Sequence, residues 1–181
     1  RKKAHLEQAG RALYNRPLLC HRVLPAMKRL ITRLRPACTA DSDDIYNVHR
    51  YAVRYTCLES YDREILDAWL ALLSPAHYPA AIRSSSKAVW VIELHERIHG
   101  FFQLDLAQAQ LDALYVLPFV HRRGLGTALL QRAEALAAEA GLGMLSLYAS
   151  NNSVPFYLLN GYRALGDAAM PLNRRISARC Q

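Results

Sequence analysis

Arg122, Arg123, Gly124, Leu125, Gly126 and Thr127 follow directly on a strand-like run, Leu111-Asp-Ala-Leu-Tyr-Val116, and open a long amphipathic segment. That order suits phosphate. A helix start offers N–H groups with no partner inside the helix, together with the positive end of the peptide dipoles. Glycine at 124 and 126 removes the Cβ atoms that would hold a pyrophosphate off the backbone, and the two arginines add charge. Two common phosphate loops are ruled out. A Walker A loop needs Gly-Lys-Ser/Thr, which the chain lacks. A dinucleotide fingerprint needs Gly or Ala where Leu129 stands, and an acidic residue where the chain reads Tyr148-Ala149-Ser150. On these residues alone an ordinary strand-to-helix connection accounts for the glycines as well as a phosphate site does.

The second chemical stretch is Ala149-Ser-Asn-Asn-Ser-Val-Pro-Phe-Tyr-Leu-Leu-Asn-Gly-Tyr162. With both stretches in view, the chain resembles the GNAT N-acetyltransferase superfamily. Arg-Arg-Gly-Leu-Gly-Thr-Ala-Leu-Leu, from Arg122, resembles that family's acyl-CoA pyrophosphate loop. Asn-Ser-Val-Pro-Phe-Tyr-Leu-Leu-Asn-Gly-Tyr, from Asn152, resembles its second cofactor motif. The segment Asp62 to Leu70, with Trp69, is similar to the second helix of some bacterial members. The likeness extends over residues 33–176.

The resemblance implies an α/β (α+β) fold: a mixed, mostly antiparallel sheet flanked by helices, with two central parallel strands splayed apart. These would be Gln110–Val116 and Met144–Ala149, with acetyl-CoA in the gap as acyl donor and no metal. Backbone groups near Val116 would pair with pantetheine. The N–H groups of Arg122, Arg123, Gly124, Leu125, Gly126 and Thr127 would hold the pyrophosphate. The implied reaction is acetyl transfer to a primary amine by direct attack in a ternary complex. Such an amine, with a pKa near ~10.4, must lose its proton to attack, and the departing thiolate, pKa ~8.5, gains from receiving one. Tyr157 stands at the position of the family's thiolate-protonating tyrosine. Asp112, on a strand bordering the gap, is a candidate base; it could equally be a surface or helix-contacting carboxylate. His121 reads as a solvated loop residue beside the phosphates. Asn152 is expected to cap the short helix and touch the pantetheine arm, although the family often has Asn seven residues before the tyrosine, where this chain has Ser150. A non-catalytic acyl-CoA-binding sensor or interaction domain on the same fold is the alternative function.

The elements that must position these residues follow from periodicity. Ile31 to Pro36 reads as a strand. Asp41 to Asp44 supply capping oxygens for a helix with Ile45, Val48, Ala52 and Tyr55 at helical spacing. A second helix is expected from Asp62 to about Leu73, broken into a loop by Ser74-Pro75 and Tyr78-Pro79. Strands at 88–94, 98–105 and 110–116 with short spacers predict an antiparallel meander. A helix from Leu125 stops at Gly141, a strand spans 144–149, and a short helix Val154–Leu159 ends at Gly161. Closing strands are expected at 162–165 and 172–176.

Composition bounds the rest. The chain has 181 residues, 52% apolar and 21% charged, which is ordinary for one globular domain. Charges interrupt every apolar run before the ~18 residues a membrane helix needs. Cys20, Cys38, Cys57 and Cys180 are scattered, with no zinc-ligand spacing, so reduced thiols and a cytoplasmic setting are expected. The net charge of +8 is concentrated at the N-terminus: residues 1–35 hold ten basic residues against Glu7 alone. Residues 1–32 are therefore expected to be a basic extension, upstream of a domain at 33–181, and dispensable up to Met27. It reads as a solvated leader, with nucleic-acid or anionic-membrane contact and a cleaved targeting leader as alternatives. Neither nucleic acid nor a membrane is expected as partner of the domain, and a homodimer is open. The resemblance places the acceptor pocket on the first two helices and nearby loops, here Tyr46–Ser60 and Tyr78–Ser86, and no motif in them spells out the acceptor.

Overall fold

The computed structural model describes residues 10–17 and 32–169. Its centre is the expected meander. Residues Lys87–Leu94 form β3, Arg97–Asp105 form β4 and Gln110–Val116 form β5, each antiparallel to the one before. His95 and Glu96 make the β3–β4 turn with positive φ (50° and 62°), the backbone sense that suits a two-residue hairpin. β2 (Thr32–Pro36) pairs with β3 at one edge. On the other side β5 meets β6 (Met144–Ser150) in parallel, but only Gln110↔Ser146 and Leu111↔Leu147 pair. Beyond those two pairs the strands part. The expected splayed parallel strands are present.

The far side of the sheet differs from expectation. Gly10–Pro17 forms β1, which lies between β6 and β7 (Arg163–Ala169) and is antiparallel to both, giving the order β2-β3-β4-β5-β6-β1-β7. Part of the segment expected to be a separate extension through residue 32 is therefore a strand of the sheet. The charge count conceals this, because Arg11 and Arg16 raise it without disturbing backbone pairing. The closing strand expected at 162–165 is β7, which begins one residue later and runs on to Ala169; the one expected at 172–176 lies outside the described residues.

Helices cover both faces. On one side α4 (Leu125–Glu139) and α5 (Val154–Leu159) bury Leu129, Leu130, Ala133 and Tyr157 against Phe102, Leu104, Leu145 and Leu147 of the strands. Gly100 permits this approach: a Cβ there would sit 3.0 Å from the Leu129 side chain and 2.9 Å from the Tyr115 carbonyl. α4 ends in a Schellman turn, with Leu142 N–H on the Ala137 carbonyl, Gly141 N–H on the Ala138 carbonyl, and Gly141 at φ 76°. On the opposite face α1 (Ser42–Thr56) sets Ile45 and Val48 on Val91 and Phe101. α2 (Arg63–Ala71) packs Leu66 and Trp69 against Val53, Cys57 and Tyr61. The loop expected after it contains a further helix, α3 (His77–Arg83), which buries Tyr78. Pro79, a breaker by its residue type, stands in the first helical turn, where a missing N–H removes no helical bond.

Asp41 precedes α1, as expected, yet its carboxylate makes no side-chain cap on that helix. Instead it takes Arg35 in two contacts, 2.7 and 2.9 Å, and the Cys38 N–H at 2.8 Å, while Arg35 also reaches Glu93 at 2.6 Å. The Arg35 hydrogen bond outweighs burial and, with the Cys38 bonds, lowers the Asp41 pKa from 3.8. A lowered carboxyl pKa contributes stability that is present above the unfolded value and lost as pH falls through the folded one, so the window lies below about pH 4. Asp41→Asn is expected to cost about 1–3 kcal/mol at pH 7. Thermal melts of both proteins from pH 7 to pH 3 should show the gap in Tm closing below about pH 4. A gap that stays constant to pH 3 would assign the loss to something other than the Asp41 charge.

Candidate active site

A cleft of about 350 Å³ opens where β5 and β6 separate. Its floor is the part of β5 that has lost its parallel partner, Ala113 to Val116. One end is closed by the start of α4. Gly124 sits at φ 81°, left-handed, and Arg122 is also at positive φ (60°), so the chain reverses sharply before the helix. Ala128 N–H makes the first bond back to the Gly124 carbonyl, 2.9 Å. By the geometry of a helix start, the N–H groups of Gly124, Leu125, Gly126 and Thr127, which precede that bond, have no partner inside the helix. A Cβ on Gly124 would meet no protein atom within 4 Å, and this exposed glycine borders the cleft. Gly126 lies where α4 and α5 meet; a Cβ there would touch the Phe156 ring at 3.4 Å, an ordinary contact distance.

Most residues singled out from sequence line this cleft: Asp112, Val116, Arg122, Gly124 to Thr127, Asn152 and Tyr157. Arg123 does not; it is exposed. His121, expected to be solvated, is exposed but lines the cleft, with Nε2 3.0 Å from the Val116 carbonyl. Tyr157 is 6% exposed and held edge-on between Phe156 and Tyr162, at 5.1 and 5.6 Å between ring centres. The expectation for Asn152 fails in one respect. The residues Asn151–Ser153 form a single 3-10 turn, Ser153 precedes α5, and no side chain caps that helix. The Asn152 Oδ1 instead accepts from the Cys57 thiol at 3.3 Å. Ser150, where an Asn was expected, braces this turn: the Ser153 hydroxyl donates to its carbonyl at 2.8 Å, and the two hydroxyls lie 3.0 Å apart.

Asp112 occupies a β-bulge. Gln103 faces Ala113 and Leu104 faces Leu111, so Asp112 is the extra residue on β5. Its Oδ2 accepts from Lys87 Nζ (2.6 Å) and Gln103 Nε2 (2.8 Å), and its Oδ1 from Gln110 Nε2 (3.0 Å). Lys87 also bonds Asp105 at 2.7 Å. Burial works against the Lys87 charge, but the hydrogen bonds to Asp105 and Asp112 prevail and raise its pKa. The carboxylate offered as a base is thus the centre of a polar cluster that ties β3, β4 and β5 together. That geometry suits an anchor for the bulge.

The wall supplied by the end of α1 falls within Tyr46–Ser60, one of the two stretches the resemblance assigns to the acceptor pocket. Ala52, Thr56 and Cys57 line the cleft, and no local motif marks them, because they reach it only when α1 packs across β5. Among the described residues there is no cluster of three or more His, Cys, Asp or Glu side chains suited to a metal ion, and no helix long and apolar enough to cross a membrane.

A sequence model of the acetyltransferase (GNAT) domain matches residues 57–170. No curated protein matches the chain by sequence. Among solved structures, the PaiA N-acetyltransferase of Thermoplasma acidophilum, in complex with coenzyme A, superposes with a TM-score of 0.66 at 20% identity, covering 77% of this chain and 96% of that one. A GCN5-related N-acetyltransferase of Rhodopseudomonas palustris gives 0.66 at 25% identity, covering 78% and 84%. The ribosomal-protein-S18-alanine N-acetyltransferase of Escherichia coli gives 0.55 at 15%, covering 72% and 77%. With the domain match over more than half its length, and the splayed strands that resemblance required, this chain belongs to the GNAT acetyltransferase family.

Proposed function

We propose that the protein is an N-acetyltransferase that moves the acetyl group of acetyl-CoA to a primary amine by direct attack in a ternary complex. One observation carries this reading: β5 and β6 part after two pairs, and the opening has a helix start at one end and a buried tyrosine on its wall. Unpaired β5 backbone can take the pantetheine amides as a further strand would. The amides of Gly124, Leu125, Gly126 and Thr127 receive the pyrophosphate, with Arg122 beside it. The neutral amine attacks the thioester carbonyl carbon, giving a tetrahedral intermediate. Its collapse breaks the C–S bond, and the electron pair leaves on sulfur. Tyr157 gives its phenolic proton to that sulfur, and the amine nitrogen loses its surplus proton to solvent. Asp112, already accepting from three side chains, holds the bulge from which this strand diverges.

The test is thiol release from acetyl-CoA over a panel of amines, beside calorimetry of acetyl-CoA binding without metal. Binding with no thiol release for any amine would favour the acyl-CoA-binding sensor instead. Gly124→Val probes the loop. A β-branched side chain in a left-handed conformation is strained, and its Cβ enters space the pyrophosphate needs. Affinity for acetyl-CoA is expected to fall at least about tenfold, an effect of ~1.4 kcal/mol or more. Unchanged affinity would remove the loop from the site.

A further inference from the structure

The turn Asn151–Ser153 leads straight into α5, which carries Tyr157, and it is fastened from outside by two bonds from one short segment. Cys57, just after α1, gives its thiol hydrogen to Asn152 Oδ1 at 3.3 Å. Tyr61, four residues on, accepts the Asn151 N–H at its hydroxyl, 2.8 Å. Both side chains are nearly closed to solvent, 1% and 7% exposed, and both pack with Val53, Leu66 and Trp69. Tyr61 is further braced edge-on by Trp69 at 5.9 Å between ring centres. The α1–α2 connection is thus rigidly backed by its own small core, and it holds two consecutive residues of a turn 90 positions away in the chain.

We propose that Cys57 and Tyr61 are positioning residues for acyl transfer, setting the Asn151–Ser153 turn and, through it, the reach of Tyr157 into the cleft. The inference rests on the acetyltransferase reading of that cleft. It has a physical ground: Tyr157 sits on a helix of only six residues, Val154–Leu159, too short to hold its own direction. The turn that precedes that helix therefore shares, with the ring contacts to Phe156 and Tyr162, in deciding where the phenol points. Misplacement of a reacting group by about 1 Å can cost up to 10²-fold in rate, so two bonds at the helix entrance are kinetically visible. The same junction joins the wall at the end of α1, Thr56 and the following Cys57, to the wall made by the turn and α5, Asn152 and Tyr157. An occupant pressing on one wall is therefore felt by the other.

The variants are Cys57→Ala, which deletes the thiol donor, Tyr61→Phe, which deletes the acceptor for Asn151, and Cys57→Ser, which keeps a donor. Alanine and phenylalanine are each expected to lower kcat/KM about tenfold, carried mainly by kcat, with serine recovering most of the loss. The double variant should fall little below either single one, because both bonds act on one turn. Calorimetry of acetyl-CoA binding should show affinity weakened several-fold in the alanine variant, through the displaced Asn152. Variants within about twofold of the parent in both kcat/KM and affinity, whatever their Tm, would overturn the proposal. A serine variant as impaired as alanine would also overturn it, by assigning the loss to packing. If the parent binds acetyl-CoA but releases no thiol with any amine, the acetyltransferase reading fails, and the affinity measurement alone decides on the junction. A parent that binds no acetyl-CoA would sink both.

Discussion

Tyr157→Phe is expected to lower kcat on the order of 10²–10⁴-fold, the usual contribution of a general acid, while acetyl-CoA affinity stays nearly unchanged. Tyr157 is buried between Phe156 and Tyr162 in edge-on contacts that a phenylalanine ring keeps. The substitution removes one oxygen and its proton, so packing and the turn before α5 should survive, and circular dichroism with thermal melting would verify this. In the ground state the thioester sulfur has little need of a proton. The need arises as the C–S bond breaks, which is why the loss belongs in kcat rather than in binding. Single-turnover thiol release, measured beside steady-state rates, isolates the chemical step from product release. A Phe variant within about threefold of the parent in that step would leave Tyr157 a packing role only.

Deletion of residues 1–17 is expected to cost more than about 3 kcal/mol, a fall in Tm of roughly 10 °C, or to prevent folding outright. β1 is an interior strand. Its backbone serves β6 along Arg11–Pro17 and β7 along Gly10–Asn15, and among the described strands β1 is the one through which β7 joins the sheet. Removing it leaves two open edges, which also invite association between molecules. Deletion of residues 1–9 alone spares the strand and should be nearly silent. Thermal melts and size-exclusion profiles of the two truncations test this. A protein lacking residues 1–17 that melts like the parent would restore the reading of that segment as a separate extension. The site has a stake in the outcome, because the start of β1, at Arg11, faces Ser150, the last residue of β6 before the turn that carries Asn152.

Much of this is legible in the chain of letters. The meander at 87–116 can be read because short β-rich runs, among them Val89-Trp90-Val91-Ile92 and Phe101-Phe102, are separated by short spacers; both faces are apolar because helices cover both. The loop from Arg122 to Thr127, the helix after it and the Tyr157 motif are legible for a related reason: each is a contiguous stretch whose chemistry depends on neighbours in sequence. Gly124 needs only its own φ, and helix-start amides need only the helix. The family follows from two such stretches in one chain, and the domain match at 57–170 agrees with it.

What the tertiary structure decided were the relations between distant segments. Asp112 is acidic and borders the gap in any reading of the sequence. That Lys87, Gln103 and Gln110 converge on it depends on a bulge in the β4–β5 register, which shifts residues across strands and leaves no local signature. Cys57 is one of four scattered thiols in the sequence; only α1 crossing β5 brings it within 3.3 Å of Asn152. β1 is hidden by its charge, because strand pairing uses backbone groups that every residue carries, whereas a count of arginines registers only side chains. Sequence reveals what neighbours in the chain do together; the cleft's second wall, its anchored carboxylate and the strand between β6 and β7 needed long-range packing to exist.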